Sequence, residues 1–245
     1  MFIATRKRLI GVLGGMGPAA TVDFLAKVVA LTPAETDQDH VPLIVWNVPQ
    51  IPPRPAAIKA GSDAPLAPML EGIRTLEQAG AEAIVIACNT AHYWYERMVA
   101  ESSIPIIHIG DAVLAELRRR ETPVHALGLM ATPATIAARI YQDRLDGVVE
   151  RFVTPDASVQ ALIDGAIVAV KRGEGARARE AAEEAARLLL ADGADALLLA
   201  CTELPVALAG SRLAPACLDP TEALARAAIA ASFAESGTAC LPLAR

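Results

Sequence analysis

Two cysteines of this sequence stand at the ends of apolar runs that are nearly the same. Residues 80–88, Gly-Ala-Glu-Ala-Ile-Val-Ile-Ala-Cys, align without a gap on residues 193–201, Gly-Ala-Asp-Ala-Leu-Leu-Leu-Ala-Cys, and five of the nine positions are identical. Such a run is typical of a buried parallel strand, and open α/β sheets hold their ligands at the carboxyl ends of those strands. The sequence therefore predicts two copies of one strand end, which present the thiols of Cys88 and Cys201.

Two thiols that face each other across a cleft could carry out a two-base proton transfer. One thiol, as thiolate, would remove a proton from carbon, and the other would return a proton to the opposite face, which inverts a stereocentre without a redox cofactor. A single buried cysteine is more often a small apolar residue, so the presence of a thiol in both copies is what favours catalysis. A carbanion beside a carboxylate also needs hydrogen-bond donors. The candidates are Asn89, Thr90, Thr132 and Thr202, with the backbone N–H groups beside them.

The polar residues that follow each thiol bear on its reactivity. Asn89-Thr90 and Thr202-Glu203 are of the types that cap helices, so each cysteine is predicted at a helix N-terminus. There the helix dipole and the free N–H groups favour the thiolate. His92, four residues after Cys88, could either tune that thiol or cap the local structure.

Apolar periodicity and turn residues predict an alternation of strands and helices. Strands are predicted at residues 9–13, 41–48, 84–87, 104–109, 124–130, 148–153, 197–200 and 214–218, and helices at residues 18–29, 66–76, 91–100, 133–145, 158–172, 177–191 and 221–236. Residues 49–55 contain four prolines. They predict a stiff loop that is neither helix nor central strand, at a strand end where a binding residue belongs.

An internal repeat covers most of the chain. Three anchor pairs keep nearly constant separations of 117, 113 and 110 residues: Gly11 with Gly128, Cys88 with Cys201, and Pro105 with Pro215. We therefore predict an α/β fold of two pseudo-symmetric domains, each a roughly four-stranded parallel sheet flanked by helices, with the active site in the cleft between them. Residues 1–111 with 220–245 would form the domain that carries Cys88, and residues 112–219 the domain that carries Cys201.

Composition and charge exclude several other functions. The net charge is −6 with a pI near 5.3, and beyond the N-terminal segment no basic run stands out except Arg118-Arg119-Arg120, which argues against nucleic-acid binding. No apolar run reaches the ~18 residues of a membrane span. The basic residues 1–8 precede only a short apolar run, unlike a secretion signal. The protein is thus predicted to be cytoplasmic, with no nucleic-acid or membrane partner.

The cysteines and histidines do not form a metal-binding pattern. The four cysteines include no C-x-x-C spacing and the four histidines make no zinc motif, so no metal site is predicted. Disulfides are not expected in a cytosolic chain of this size. Cys217, inside a predicted strand, and Cys240, in the C-terminal tail, are predicted to be structural or incidental.

Four motifs in order along the chain resemble the aspartate/glutamate racemase family, and its aspartate racemase branch most closely. They are Leu-Gly-Gly-Met-Gly-Pro at residues 13–18, Asn-Val-Pro-Gln-Ile-Pro at 47–52, Cys-Asn-Thr-Ala-His at 88–92 and Ala-Cys-Thr-Glu at 200–203. The resemblance runs over nearly the whole chain. It implies a racemase that interconverts L- and D-aspartate without a cofactor, with Cys88 and Cys201 as the acid/base pair, a small amino-acid substrate and a homodimeric state.

The same resemblance implies substrate contacts. Aspartate racemases carry an arginine in the proline-rich loop and a lysine in the second domain, which match Arg54 and Lys171. Cations suit the side-chain carboxylate of a dicarboxylic substrate, and arginine can bind one bidentately. Lys171, near a helix end, could instead be a solvated partner of the helix dipole. Glu203 stands where glutamate racemases have a histidine, which favours aspartate, and Met16 completes the predicted substrate-binding set.

One loop departs from the family pattern, and other readings remain open. Residues 131–135, Ala-Thr-Pro-Ala-Thr, lack a glycine that the family often has, which puts the substrate specificity in question. A broad-specificity or glutamate racemase, a hydantoin racemase, a maleate isomerase and an arylmalonate decarboxylase are related alternatives. The pattern Gly15-x-Gly17-x-x-Ala20 raises a dinucleotide-binding dehydrogenase, although no acidic residue closes the second predicted strand. A non-catalytic binding protein is a further alternative.

Overall fold

Two four-stranded parallel sheets form the framework of the protein. The computed structural model describes residues 6–234, and within them the strand orders are β2-β1-β3-β4 and β6-β5-β7-β8. The strands are β1 (Ile10–Gly14), β2 (Leu43–Asn47), β3 (Ala83–Ile86), β4 (Ile106–Ile107), β5 (Ala126–Ala131), β6 (Arg151–Val153), β7 (Ala196–Ala200) and β8 (Cys217–Leu218). The predicted α/β class and the two parallel sheets are confirmed. Cys240 lies outside the described residues.

Helices connect the parallel strands and cover both sheets. They are α1 (Pro18–Leu31), α2 (Arg54–Lys59), α3 (Leu66–Gln78), α4 (Tyr95–Glu101), α5 (Ile109–Arg119), α6 (Pro133–Ala137), α7 (Ala157–Lys171), α8 (Gly175–Ala191), α9 (Leu204–Ala207) and α10 (Pro220–Phe233). Short 3₁₀ turns occupy Asp37–Asp39, Thr90–Trp94 and Ala214–Ala216. Between residues 6 and 234, each helix is too short or too polar to span a bilayer.

The internal repeat is visible in the register of the central strands. Gly11 of β1 pairs with Ile84 of β3, and Gly128 of β5 pairs with Leu197 of β7. A β-carbon on Gly11 would stand 3.0 Å from Cβ of Ala81, and one on Gly128 would stand 3.1 Å from Cβ of Ala194. Gly11 with Ala81, and Gly128 with Ala194, are therefore small enough to let the turn before each cysteine-bearing strand pack directly against the sheet. This explains why both copies keep them.

The two cysteine-bearing strands also begin in the same way. Each follows a helix that ends at a glycine with positive φ, 91° at Gly80 and 87° at Gly193, a conformation that glycine adopts at little cost. The acidic residue two positions later then ties the neighbouring strand in place. Glu82 Oε1 accepts from the Leu9 N–H at 3.2 Å, and Asp195 Oδ2 accepts from the Ala126 N–H at 2.8 Å.

The core has one shared cluster and two separate ones. In the shared cluster, apolar side chains of both sheets, among them Val12 and Leu127, pack together with α1, α5 and α10. α10 contacts both α1 and α5, which brings the end of the described chain back to the first half. A second cluster, with Cys88, packs under α3 and α4, and a third, with Cys201, packs under α7 and α8. The division into two domains remains a prediction, and residues 111 and 112 on either side of it lie together in α5.

Several predicted boundaries are wrong for identifiable reasons. α2 begins at Arg54, inside the segment predicted as loop, because Pro55 stands in its first turn, where a missing N–H costs nothing. α6 ends at Ala137 rather than Leu145, and Arg139 follows with a positive φ of 53° that interrupts the helix. The helix predicted from residue 91 begins as a 3₁₀ turn, and α4 starts at Tyr95. The outer strands β2, β4, β6 and β8 are shorter than predicted.

Candidate active site

One small cavity brings together all ten residues predicted to form the site. It has a volume of about 50 Å³. Its lining comprises Met16, Arg54, Cys88, Asn89, Thr90, Thr132, Lys171, Cys201, Thr202 and Glu203, together with Pro55 and Ile167. Half of the ten come from each half of the chain. The volume lies below the ~300 Å³ of ordinary ligand pockets, so the cavity suits a small molecule and not a dinucleotide.

The ends of the four central strands position this cavity. Met16 follows β1 and Cys88 follows β3 in the first sheet, while Thr132 follows β5 and Cys201 follows β7 in the second. Because parallel strands all end at the same edge of a sheet, each sheet presents its polar loops along one side. The duplicated strand ends thus converge on a single volume from two directions.

Cys201 lies beside a buried acid. Its Sγ donates to Glu203 Oε2 at 3.1 Å, and the Thr202 hydroxyl donates to the same oxygen at 3.3 Å. Lys171 Nζ stands 3.5 Å from Glu203 Oε1. Burial raises the pKa of the Cys201 thiol well above 9, and the negative charge and hydrogen bond of Glu203 raise it further.

The buried Glu203 carboxylate has a second favourable neighbour in the N-terminus of α1. Its Oε1 is 3.6 Å from the point where a β-carbon on Gly17 would stand, and Gly17 is the N-cap of that 14-residue helix. The positive end of the helix dipole and the Lys171 ammonium therefore both face the side-chain oxygens of Glu203. This also answers the dinucleotide alternative, because the acid occupies the position where a pyrophosphate would bind.

In the part of the chain that the structure describes, no carboxylate is hydrogen-bonded to the Cys88 thiol. Among residues 6–234, its Sγ has no hydrogen-bonding partner, and its backbone carbonyl accepts from His92 Nδ1 at 2.9 Å. His92 Nε2 in turn accepts from the Ile109 N–H at 3.1 Å, so the ring proton sits on Nδ1. Burial lowers the pKa of His92 to about 4. The neutral ring thus links the Cys88 loop to α5, a contact of the kind expected for the local capping role, and an effect of His92 on the thiol stays a prediction.

The prediction that the polar pairs after the cysteines cap the next helices is wrong. Asn89 and Glu203 occupy N-cap positions but make no side-chain cap hydrogen bond, because both have helical backbone angles from which the side chain cannot reach back. The helices that follow are only a five-residue 3₁₀ turn and the four-residue α9. The side chains of Asn89, Thr90 and Glu203 turn to partners within the site instead.

A chain of three threonine hydroxyls joins the two halves at the cavity. Thr90 Oγ1 lies 2.9 Å from Thr135 Oγ1, which lies 3.0 Å from Thr132 Oγ1. Thr132 also accepts from the Thr135 N–H at 3.3 Å and so caps α6. Thr90 and Thr132 line the cavity, while Thr135 is buried behind them. Two of the four predicted donors, Thr90 from the first half and Thr132 from the second, are therefore parts of one network.

The two predicted cations differ in how firmly they are held. Arg54 Nη1 donates to the carbonyls of Ile51 and Pro52, both at 2.9 Å, while its Nε is buried with no partner among residues 6–234. The guanidinium is thus anchored to the proline-rich segment and keeps a free donor. Lys171 is the last residue of α7, and its side chain is 60% exposed.

Sequence reasoning missed the residues that stand behind the lining. Tyr141 donates from its hydroxyl to Asn89 Oδ1, and Thr135 links the other two threonines. Both lie close to Thr132 in sequence, in the segment that is predicted as one helix over residues 133–145. The signal was the buried aromatic in a stretch where the helical periodicity fails. Within residues 6–234, no group of three or more His, Cys, Asp or Glu side chains is arranged to hold a metal ion.

Comparison with known proteins agrees with this architecture. The Asp/Glu/Hydantoin racemase family model matches residues 13–228. The chain is 27% identical over 230 residues to the broad specificity amino-acid racemase RacX of Bacillus subtilis, covering 92% of this chain and 99% of that protein. The aspartate racemase of Picrophilus torridus superimposes with a TM-score of 0.82 at 35% identity, covering 92% of this chain and 94% of that one.

A more distant solved structure shows the same fold. The glutamate racemase of Campylobacter jejuni superimposes with a TM-score of 0.60 at 20% identity, covering 91% of this chain and 84% of that one. The family match spans most of the sequence, includes both cysteines and agrees with the two duplicated sheets. The chain therefore belongs to the Asp/Glu/hydantoin racemase family, whose members are isomerases.

Proposed function

We propose that the protein is a cofactor-independent racemase that interconverts L- and D-aspartate, with Cys88 and Cys201 as the two proton carriers. The observation that carries the proposal is the single small cavity that both thiols line, each at the end of an equivalent strand. Proton carriers that approach from different sheets can serve opposite faces of one α-carbon. The similarity to the aspartate racemase of P. torridus supports aspartate as the substrate.

The charges of the cavity suit a dicarboxylic amino acid. Arg54 and Lys171 supply positive charge for the side-chain carboxylate, and the free Nε of Arg54 offers a donor in addition to its anchored Nη1. Asn89, Thr90, Thr132 and Thr202 supply neutral donors for the α-carboxylate, whose charge grows as the α-proton leaves. Met16 and Ile167 supply apolar surface against the carbon atoms of the substrate.

The proton transfer can be followed atom by atom. In one direction Glu203 accepts the proton of Cys201, and the resulting thiolate removes the α-proton from one enantiomer. The Cys88 thiol then donates its proton to the opposite face of the carbanion, which leaves product, a Cys88 thiolate, a Cys201 thiol and a protonated Glu203. Glu203 releases its proton to solvent and Cys88 takes one up before the same direction repeats. The reverse direction begins instead from the Cys88 thiolate. No atom changes its oxidation state, so the cycle requires neither an oxidant nor a reductant. The homodimeric state and the cytoplasmic location remain predictions.

An enantiomer-resolved assay in heavy water tests the proposal. Purified protein supplied with L- or D-aspartate should form the other enantiomer with deuterium at its α-carbon, because the proton it gains comes from a thiol that exchanges with solvent. Added pyridoxal phosphate and dialysis against a chelator should leave the rate unchanged. The proposal would be contradicted if aspartate were not racemised, or if the product kept its original α-proton.

A broad-specificity racemase is the second candidate. The similarity to RacX over nearly its whole length favours it, as does the departure of residues 131–135 from the family pattern. A panel that includes alanine, glutamate and lysine separates the two candidates. If Arg54 and Lys171 hold a side-chain carboxylate, aspartate should be the best substrate and neutral amino acids poor ones. Equal rates on alanine and aspartate would favour the broad-specificity candidate.

A further inference from the structure

Tyr141 lies behind the cavity and connects its two halves. The side chain is 1% exposed, and its hydroxyl donates to Asn89 Oδ1 across 52 positions of sequence. Asn89 follows the Cys88 strand in the first half, whereas Tyr141 follows α6 in the second. The contact therefore joins a residue that lines the cavity to a residue that does not reach it.

The other end of the Asn89 amide is unpaired. Asn89 is 2% exposed, and its Nδ2 is buried with no hydrogen-bonding partner among residues 6–234. A buried amide N–H without an acceptor is costly, and native proteins seldom leave one. Because Asn89 lines the cavity, an acceptor bound there can relieve this cost.

The Tyr141 hydroxyl determines which end of the amide is free. The phenol has one hydrogen to donate, and Asn89 Oδ1 accepts it. If the Asn89 amide were flipped, Nδ2 would donate to the phenol oxygen, and the phenol hydrogen would lose Oδ1 as its acceptor. The amide oxygen would then stand where Nδ2, the free donor, stands now. A carbonyl oxygen would repel a substrate carboxylate, whereas an N–H group binds it.

We propose that Tyr141 is a positioning residue that fixes the Asn89 amide so that its Nδ2 donates to the α-carboxylate of the substrate. The proposal rests on the racemase function proposed above and assigns a residue outside the cavity to it. Burial raises the pKa of Tyr141 well above 10, and the charges of Asp219, Cys88 and Cys201 raise it further. Burial alone keeps the phenol protonated, and the thiolate that forms on Cys201 before the α-proton leaves, or on Cys88 after product forms, adds to this effect, so Tyr141 remains a donor in both directions of the reaction.

Tyr141→Phe removes only the hydroxyl and leaves the Asn89 amide free to rotate. We expect kcat/KM for aspartate to fall about 10- to 100-fold, mainly through KM, since the lost interaction is an oriented hydrogen bond to a charged group. Tyr95→Phe is the matched control. Tyr95 is also buried, and its hydroxyl donates to the Ile106 carbonyl at 2.8 Å, but it does not line the cavity and its hydroxyl bonds to no lining residue. This control should lower thermal stability to a similar degree and keep native activity.

A double-mutant cycle distinguishes positioning from a structural role. In an Asn89→Ala background, Tyr141→Phe should have little further effect on KM, because the amide that it orients is gone. A full additional loss in that background would overturn the proposal, as would a Tyr141→Phe enzyme within twofold of native kcat/KM.

Asn89→Asp provides a test that does not depend on how Tyr141→Phe folds. The acid can still accept from Tyr141 but presents an oxygen to the substrate, so the stabilisation of the protein by bound aspartate in thermal melts should be lost. Native stabilisation by aspartate in this variant would overturn the inference alone. If the native enzyme neither racemises nor binds aspartate, the proposed function fails and the inference fails with it.

Discussion

The surroundings of Cys88 and Cys201 differ although their backbones are copies. The register of the sheet, the glycine before each strand and the acidic residue that ties the neighbouring strand are equivalent in the two halves. The side chains after the thiols are not. Cys201 donates to the buried Glu203. The Cys88 thiol has no hydrogen-bonded carboxylate among the described residues, and the Cys88 carbonyl accepts from the neutral His92. Duplication kept the strand ends that place the thiols, and the residues that follow them came to differ.

This difference makes the two thiols unequal as bases. The proton of Cys201 has an acceptor within 3.1 Å, whereas the proton of Cys88 has none among the described residues. If racemisation is symmetric in substrate and product, the asymmetry must appear in proton exchange, in thiol reactivity and in pH dependence. Substitutions of the two thiols and of their neighbours test this asymmetry.

Removal of either thiol should have the largest effect. Cys88→Ala and Cys201→Ala each remove one proton carrier, and we expect racemisation to fall by about 10³-fold or more. Each variant keeps one base that reaches one face, so each should still exchange the α-proton of one enantiomer with heavy water, and the two variants should prefer opposite enantiomers. Exchange is measured by NMR on each enantiomer separately.

Cys217→Ala is the control for the thiol variants. Cys217 Sγ donates to the Leu213 carbonyl at 3.3 Å, outside the cavity, so this variant should keep near-native turnover. Racemisation at the native rate by either single-cysteine variant would refute the two-thiol mechanism.

Glu203→Gln should affect one thiol and spare the other. We expect turnover to fall about 100-fold, because Cys201 loses the base that takes its proton. The negative charge of Glu203 raises the pKa of Cys201, so its replacement by a neutral amide should lower that pKa, and alkylation of Cys201 should move to lower pH. The pH dependence of Cys88 alkylation should stay unchanged. Site-resolved mass spectrometry after iodoacetamide treatment measures both.

A second acidic residue serves as the control for Glu203. Glu183 accepts from the Ser211 hydroxyl away from the cavity, so Glu183→Gln should alter neither alkylation profile. If alkylation of Cys201 in the Glu203→Gln enzyme shows the same pH dependence as in the native protein, Glu203 does not make the two thiols unequal.

The two cations should contribute unequally. Arg54→Ala removes an anchored guanidinium, and we expect kcat/KM for aspartate to fall about 30-fold with a higher KM, in the range for hydrogen bonds to charged groups. Lys171→Ala removes an exposed ammonium that solvent screens, and we expect about a fivefold loss. Steady-state kinetics with both enantiomers measure the ratio. An equal or larger loss at Lys171 would place the substrate carboxylate in the second half of the cavity.

His92 should give the first half a distinctive sensitivity to acid. Its pKa is lowered from 6.5 to about 4 in the folded protein, so the unfolded chain takes up a proton that the folded chain does not. The contribution of His92 to the free energy of unfolding is therefore fully present above pH 6.5 and is lost as the pH falls toward 4. The loss is about 3 kcal/mol in total, at about 1.4 kcal/mol per pH unit. His92→Gln should be less stable at pH 7 but lose less on acidification.

Urea unfolding at pH 7 and pH 5 measures this effect. His125→Gln is the control, because His125 is exposed and its partner Glu150 is exposed as well. An unchanged pH dependence in His92→Gln would mean that other groups, such as the buried His108, account for the acid sensitivity.

Patterns that recur were predictable from the sequence, and contacts between distant segments were not. The two sheets follow from the repeat, and the membership of the cavity follows from strand ends and motif matches. The Tyr141 contact to Asn89 joins positions 52 residues apart, and no periodicity encodes it. The expected helix caps failed because helical backbone angles at Asn89 and Glu203 depend on tertiary packing. α6 is short because Arg139 adopts a positive φ, which an arginine in the sequence does not predict.

The three linked threonine hydroxyls allow only a limited set of orientations. Three hydroxyls carry three hydrogens, and the two links between them use two. Thr135 is buried, so the remaining hydrogen belongs to Thr132 when Thr135 donates to it, or to Thr90 when Thr135 donates there. The cavity thus meets one of these side chains as a donor and the other as an acceptor. A carboxylate that accepts a hydrogen bond from the hydroxyl at one end makes the hydroxyl at the other end an acceptor. Two sheets that share no strand are therefore coupled through the orientation of three hydrogen-bonded hydroxyls.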